Sequence, residues 1–128
     1  MASIQFRTES KFAAVTGNSA STTNSPDNAT LLFTCPSNHE AEVVYILVSN
    51  DQSSNSNIGI QVYHADDTEY HTLVLEEQIT GRASTQFIGS GPLYLHAGDK
   101  ILIHRITSSH NFSATLSCRV YFSPANRT

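Results

Sequence analysis

The chain has 128 residues, a formal net charge of −4 at pH 7, and only 14% Asp, Glu, Lys and Arg. This length suits one domain with a single core, and the acidic balance argues against binding nucleic acid or a membrane surface through basic residues. The surface must be rich in Ser, Thr, Asn and Gln, which is typical of a protein that lies against other proteins rather than of a freely diffusing enzyme. Residues 1–7 contain no readable secretory signal, and no apolar run approaches transmembrane length.

The N-terminal segment has apolar residues at Ile4 and Phe6, with Phe12 a few positions later. It could form an edge strand of the domain or an arm that docks on a neighbouring subunit. Residues 16–28 are dominated by Gly, Asn, Ser and Thr without periodicity, which is the composition of a flexible loop. We therefore divide the chain into an N-terminal arm with its flexible loop, residues 1–28, and a body, residues 29–128.

The body contains about eight short apolar or alternating segments separated by polar turns. They occupy residues 29–35, 40–49, 58–64, 70–76, 84–88, 93–95, 101–106 and 112–122. Residues 97–99, Ala-Gly-Asp, supply the reversal between two of them. Because no segment carries a convincing helical period, the pattern predicts an all-β fold, an antiparallel β-sandwich that is jelly-roll-like.

The final segment alternates apolar and polar residues over its whole length, which predicts a strand with one face on the core. We expect the core to include Phe33, Ile46 or Leu47, Ile60, Leu95, Ile103, Leu116, Val120 and Phe122. Cys118 lies on the same apolar face, where a thiol behaves as a small hydrophobic group. With only Cys35 besides it, the chain has neither a disulfide framework nor a zinc site, and sequence leaves open whether the two are bonded.

Residues 43–48 are apolar at both parities, so either both faces of this strand are buried or one face meets another chain. On the second alternative, the strand would contribute Val44, Ile46 and Val48 to a subunit contact. The N-terminal arm would contribute Ile4, Phe6 and Phe12 by reaching an adjacent chain. A set of this kind suits a protein that self-associates.

Two histidines flank a predicted hairpin turn at residues 66–69. With a four-residue turn there, His64 and His71 fall directly opposite each other, close to Asp66 and Asp67. A site of two histidines and one carboxylate for a divalent cation is conceivable, but a solvated cross-strand pair of polar residues at a hairpin tip is the preferred explanation. We therefore predict no metal and no cofactor, with His64 and His71 as the one candidate pair.

Several segments resemble small structural proteins of tailed bacteriophages, notably those that infect cyanobacteria and other aquatic bacteria. They are residues 31–36 (LLFTCP), 42–50 (EVVYILVSN), 60–63 (IQVY), 91–95 (GPLYL) and 97–101 (AGDKI). The resemblance covers about residues 29–123, and members of this group are compact β-sandwiches that decorate capsids or lie in tails. It implies no catalytic residues.

These observations together favour a non-enzymatic structural protein of a virion. The preferred hypothesis is a capsid decoration (cement) protein that binds the major capsid protein on the outer surface of the particle. The alternatives are a tail or baseplate component and a carbohydrate-binding β-sandwich module. The last would bind sugars through exposed tyrosines, since the chain has no Trp.

Overall fold

A computed structural model describes residues 6–15, 29–88, 93–106 and 111–123. These residues contain no helix, and hence none that could cross a membrane. They form nine strands: β1 (Phe6–Val15), β2 (Thr30–Thr34), β3 (His39–Asn50), β4 (Ser56–His64), β5 (Glu69–Ile79), β6 (Ser84–Phe87), β7 (Leu93–Leu95), β8 (Lys100–Arg105) and β9 (Phe112–Phe122). The predicted all-β fold is confirmed.

The strands form two antiparallel sheets that pack face to face. The first sheet has the order β1-β9-β3-β6, with β7 also pairing with β3, and the second has the order β2-β8-β4-β5. Since β6 and β7 both pair with β3, they act as one interrupted strand. Counted in this way, the order is that of an eight-stranded jelly roll, in which two Greek keys build a double-sheet sandwich.

Strand β9 lies beside both β1 and β3, and its side chains alternate between the core and the outer face. The predicted core is confirmed at Leu116, Val120 and the other expected positions, with Ile46 rather than Leu47 facing inward. Phe122 is the exception, since 65% of it is exposed. Phe122 is the next residue after Val120 on the inward side of β9, but it lies past the end of the packed core. Its ring contacts the His39 ring edge-on, with centroids 5.5 Å apart.

The turn before β8 is fixed by a buried carboxylate. Asp99 accepts hydrogen bonds from the backbone N–H of His96 at 2.8 Å and of Ala65 at 2.9 Å. The second bond ties this turn to the end of β4. Gly98 has a φ of 90°, which favours glycine, so the predicted reversal at residues 97–99 has the chemistry that it needs.

Residues 6–15 form an edge strand of this same domain, the alternative that sequence left open beside a docking arm. Strand β1 pairs with β9 along all of its ten residues. At its end Val15 is buried in the core. The described part of the expected arm is therefore paired within its own chain.

Up to Lys11, the core side of β1 carries charged rather than apolar side chains. Arg7, Glu9 and Lys11 lie opposite buried residues of β9. The Glu9 carboxylate accepts from Arg7 Nε at 2.6 Å, and Lys11 Nζ lies 3.4 Å from it. These three side chains line a groove of about 460 Å³ together with Pro36 and residues 31–34. Partial burial raises the pKa of Glu9, but the bonds from Arg7 and Lys11 outweigh it and hold that pKa below its usual value.

Neither cysteine forms a disulfide, and both are buried. Burial raises the pKa of the Cys118 thiol to about 11, so this thiol stays protonated at neutral pH. The Cys35 thiol donates to the backbone oxygen of His39 at 3.4 Å. Cys118 lies on the core face of β9, as its place in the alternation predicted.

Truncating Leu116 to alanine tests the face assignment of β9. We expect Leu116→Ala to lower the free energy of unfolding by about 2–5 kcal/mol, because it removes buried methyl groups and leaves a cavity. Urea denaturation measures this loss. Ser117→Ala, the neighbour on the outer face, is the control and should change stability by less than about 0.5 kcal/mol. A similarly small effect at Leu116 would contradict the assignment.

Replacing Glu9 by Gln tests the ion pairs on the core side of β1. A lowered carboxyl pKa stabilises the fold above its unfolded value, and that stabilisation disappears as pH falls through the folded value. We expect Glu9→Gln to cost about 0.2–1 kcal/mol at pH 7 and much less at about pH 2, because the stabilisation fades as pH falls through the lowered folded pKa. Urea titrations at both pH values, with Glu77→Gln on exposed β5 as control, measure it. An equal loss at both would mean that packing, not charge, is responsible.

Candidate assembly surface

The outer face of the first sheet is a broad surface built by the alternation of β9. Residues directly opposite each other in an antiparallel ladder share a face, so the outward residues of β9 mark the outward residues of its neighbours. Consecutive rows of this face lie opposite one another across β1, β9, β3 and β6. We call the following set the neutral patch: Ser10, Phe12, Tyr45, Leu47, Ser49, Ser84, Gln86, Ser113, Thr115 and Ser117.

The neutral patch contains no ionisable side chain except the phenol of Tyr45, and it presents one large aromatic ring to solvent. Phe12 is 76% exposed, the most of the large hydrophobic side chains that the structure describes. The small hydroxyls around it are half-buried or exposed, and the Ser49 and Ser84 hydroxyls bond each other across the ladder at 2.7 Å. The Ser113 hydroxyl donates to the Asp51 carboxylate at 2.9 Å, at the border of the patch. Apart from that border, burying the patch against a partner strands no charge, which is the usual obstacle to burying polar surface.

Below the neutral patch the same face becomes charged, and its charges are paired within the chain. The Glu42 carboxylate accepts from the Tyr121 hydroxyl at 3.1 Å and from Arg119 Nη1 at 3.4 Å. Burial and the bond to Glu42 both raise the pKa of Tyr121. Ser123 donates to Glu40 at 2.9 Å. A partner that covered this region would have to fit over hydrogen bonds and ion pairs that already exist within the chain. The outer face of the first sheet therefore divides into a neutral half and an ionic half.

The expected contact residues separate into different environments. Phe12 lies in the neutral patch, and Val44 is half-buried in β3. Ile46 and Val48 are fully buried in the core, so a partner could not touch them without opening the sandwich. Phe6 begins β1 opposite Tyr121, and Ile4 lies outside the described residues.

A β-bulge explains why residues 43–48 are apolar at both parities. The register of β3 against β9 shifts between Val43 and Tyr45. Ala41 and Val43 face the core before the shift, whereas Ile46 and Val48 face it afterwards. The extra residue of a bulge moves the inward parity from odd to even positions, so Val43, Ile46 and Val48 share the buried face, whereas Tyr45 and Leu47 lie on the outer face in the neutral patch.

The remaining exposed hydrophobic side chains do not form one surface with the neutral patch. Leu31, Leu73 and Leu75 belong to the outer strands of the second sheet, and Tyr94 and Phe122 border the ionic half of the first. Scattered exposed side chains of this kind are normal on monomeric proteins. The Tyr63 and Tyr70 rings pack against each other with centroids 4.8 Å apart, which leaves Tyr94 as the prominent exposed tyrosine.

The structure brings His64 and His71 together, but in a different register from the expected one. The turn of this hairpin occupies residues 65–68, one position earlier than predicted, and His64 lies opposite Glu69. The two imidazoles are therefore diagonal neighbours on one face, with centroids 6.2 Å apart. Asp67, which sequence placed only nearby, lies between them and contacts both rings.

No protein-family model matches the sequence, and no curated protein matches it. A solved structure of Bacillus endospore appendages, described as a novel family of disulfide-linked pili, matches with a TM-score of 0.52 and 9% identity, covering 97% of this chain and 93% of that chain. A structure of infectious bursal disease virus, Gx strain, matches with a TM-score of 0.50 and 11% identity, covering 95% of this chain and 34% of that chain.

A cyanophage Pam1 capsid asymmetric unit contains a third similar chain, with a TM-score of 0.46 and 15% identity, covering 94% of this chain and 86% of that chain. Identities this low establish a shared fold alone. The matches with TM-scores of 0.50 and 0.52 show that this β-sandwich fold also occurs in a pilus and in a chain of infectious bursal disease virus.

Proposed function

We propose that this chain is a non-enzymatic structural protein of a virus particle, which binds neighbouring protein through the neutral patch. The observation that carries the proposal is the absence of charge from this part of the first sheet, around an exposed Phe12. Interfaces between proteins are depleted of charge at their centre and enriched in aromatic residues. The fold supports the proposal, since it also occurs within a chain of a virus particle.

The size of the neutral patch favours a weak contact repeated many times. A standard stable interface uses about 20–30 residues on each side, and the ten residues of the neutral patch are at most half of that. A single contact of this size gives modest affinity, but copies arranged on a symmetric particle multiply it through avidity. This suits a capsid decoration protein that binds the major capsid protein on the outside of the virion, and that associates with further copies of itself there.

The contact uses the face of a sheet and not a detached arm. Because β1 is paired along its length with β9 in its own chain, Phe12 is held rigidly in the surface that a partner meets. A rigid surface loses little conformational entropy when it binds.

A filament subunit is the second candidate function. The match to Bacillus endospore appendages extends over nearly the whole length of both chains, so the complete fold occurs in a subunit of a pilus. On this alternative the neutral patch would bind a second copy of the same chain and would do so without any capsid. Electron microscopy of the purified protein separates the two, because only a filament subunit should form fibres alone.

Two phenylalanines on one sheet give a matched test of the neutral patch. Phe12 lies in the neutral patch, whereas Phe122, also largely exposed, lies outside it. We expect Phe12→Glu to reduce binding to particles assembled from the major capsid protein of the same virus by at least about tenfold, since burying an unpaired carboxylate is costly. Phe122→Glu adds the same charge and should bind as the wild type does. Co-sedimentation and image reconstruction measure the occupancy.

Urea denaturation of both variants should show that the fold is retained. Wild-type occupancy for Phe12→Glu would contradict the proposal, as would an equal loss in both variants, which would reflect charge alone. A glycan array tests the carbohydrate-binding alternative separately, and it should show no binding that Phe12→Glu removes.

A further inference from the structure

The hairpin between β4 and β5 gathers three metal-binding side chains outside the neutral patch. Asp67 Oδ2 lies 3.0 Å from His71 Nε2 and 3.3 Å from His64 Nδ1. One donor atom from each residue lies within 4.8 Å of the others. All three side chains are partly open to solvent, so an ion can reach them without any opening of the fold.

The local backbone holds the carboxylate in this position. Asp67 Oδ1 accepts from the backbone N–H of Glu69 at 2.9 Å, an Asx turn that leaves Oδ2 directed at the two imidazoles. Thr68 has a φ of 54°, which closes the turn tightly. The start of the turn is fixed as well, since the backbone N–H of Ala65 donates to the buried Asp99. The donors therefore sit on a braced hairpin.

The distances are close to those that a metal ion requires. Zinc–nitrogen bonds of about 2.0–2.1 Å in a tetrahedral site place donor atoms about 3.4 Å apart. The two contacts of Asp67 Oδ2 are already at that spacing. Only the two imidazole nitrogens have to move closer, and rotation of exposed side chains provides movement of that size.

The donor set selects the class of ion. Imidazole nitrogen suits Zn²⁺, Cu²⁺ and Ni²⁺, whereas Ca²⁺ and Mg²⁺ prefer sites made of oxygen ligands. We propose that His64, Asp67 and His71 form a binding site for a divalent transition-metal ion such as Zn²⁺. Three protein ligands leave a fourth tetrahedral position open to water or to a donor from another molecule.

The site stands independently of the assembly surface. It lies on the second sheet, and the neutral patch lies on the first. Failure of one proposal therefore leaves the other unaffected. Without a metal, the same three groups form an Asp–His hydrogen-bonded cluster in which the bond to Asp67 raises the pKa of His64.

Isothermal titration of the full chain with ZnCl₂ tests the site. We expect the wild type to bind one Zn²⁺ ion per chain in a saturable manner. The test variants are His64→Gln, His71→Gln and Asp67→Asn. Each should weaken binding by at least about 100-fold, because even outer-shell partners of a metal are worth about 10–100-fold. His96→Gln is the matched control, since His96 is also half-exposed and lies 3.9 Å from a carboxylate, that of Glu40.

Control titrations define the outcomes that would overturn the proposal. CaCl₂ and MgCl₂ should give no saturable heat, and the Co²⁺-loaded protein should show a tetrahedral spectrum without thiolate bands. Absence of Zn²⁺ binding, binding that survives His71→Gln, or an equal loss in His96→Gln would each refute the site. Thermal denaturation of the metal-free variants should match that of the wild type, which excludes loss of binding through unfolding.

Discussion

The hydrogen-bonded ladders on both edges of β9 determine which side chains of the first sheet face the core and which face outward. Its partners β1 and β3 follow it along almost its whole length. A slip of one residue on either side would exchange the inward and outward side chains of the strand that moved. The packed core around Leu116 and the neutral surface around Thr115 are thus two results of one register, so the core cannot be rearranged without also changing the surface.

The buried face of the fold was largely predictable because it follows a simple period. Alternation in residues 112–122 gave the core face of β9, and the Ala-Gly-Asp reversal gave the turn before β8. The prediction went wrong where that period ends or shifts. Phe122 continues the alternation beyond the packed layer, and a bulge at Val44 changes which residues of β3 point inward. A bulge adds one residue to a ladder, and nothing in residues 43–48 distinguishes that from a strand buried on both faces.

The candidate sites depended on pairing across strands, which sequence specifies less well. The two histidines of the β4–β5 hairpin were identified from sequence, but the turn is one position earlier than expected. As a result, the Asp67 carboxylate lies between the two imidazoles. Likewise, sequence named Phe12 as a candidate contact residue, whereas its neighbours Leu47 and Thr115 could be identified only from the register of the ladders. The signal for the charges of β1 was present, since Arg7, Glu9 and Lys11 recur at every second position.

Those charges bear on unwanted association between copies of the protein. Strand β1 forms one border of the first sheet, and an open border is the usual template for unwanted pairing between copies. A second copy that extended the sheet there would continue the sandwich over Arg7, Glu9 and Lys11, and would have to bury their charges. Inward-pointing charges on a border strand are a known protection against aggregation. The charges therefore disfavour extension of the first sheet at β1, and they do so from the core side, without adding any charge to the neutral patch on the outer face.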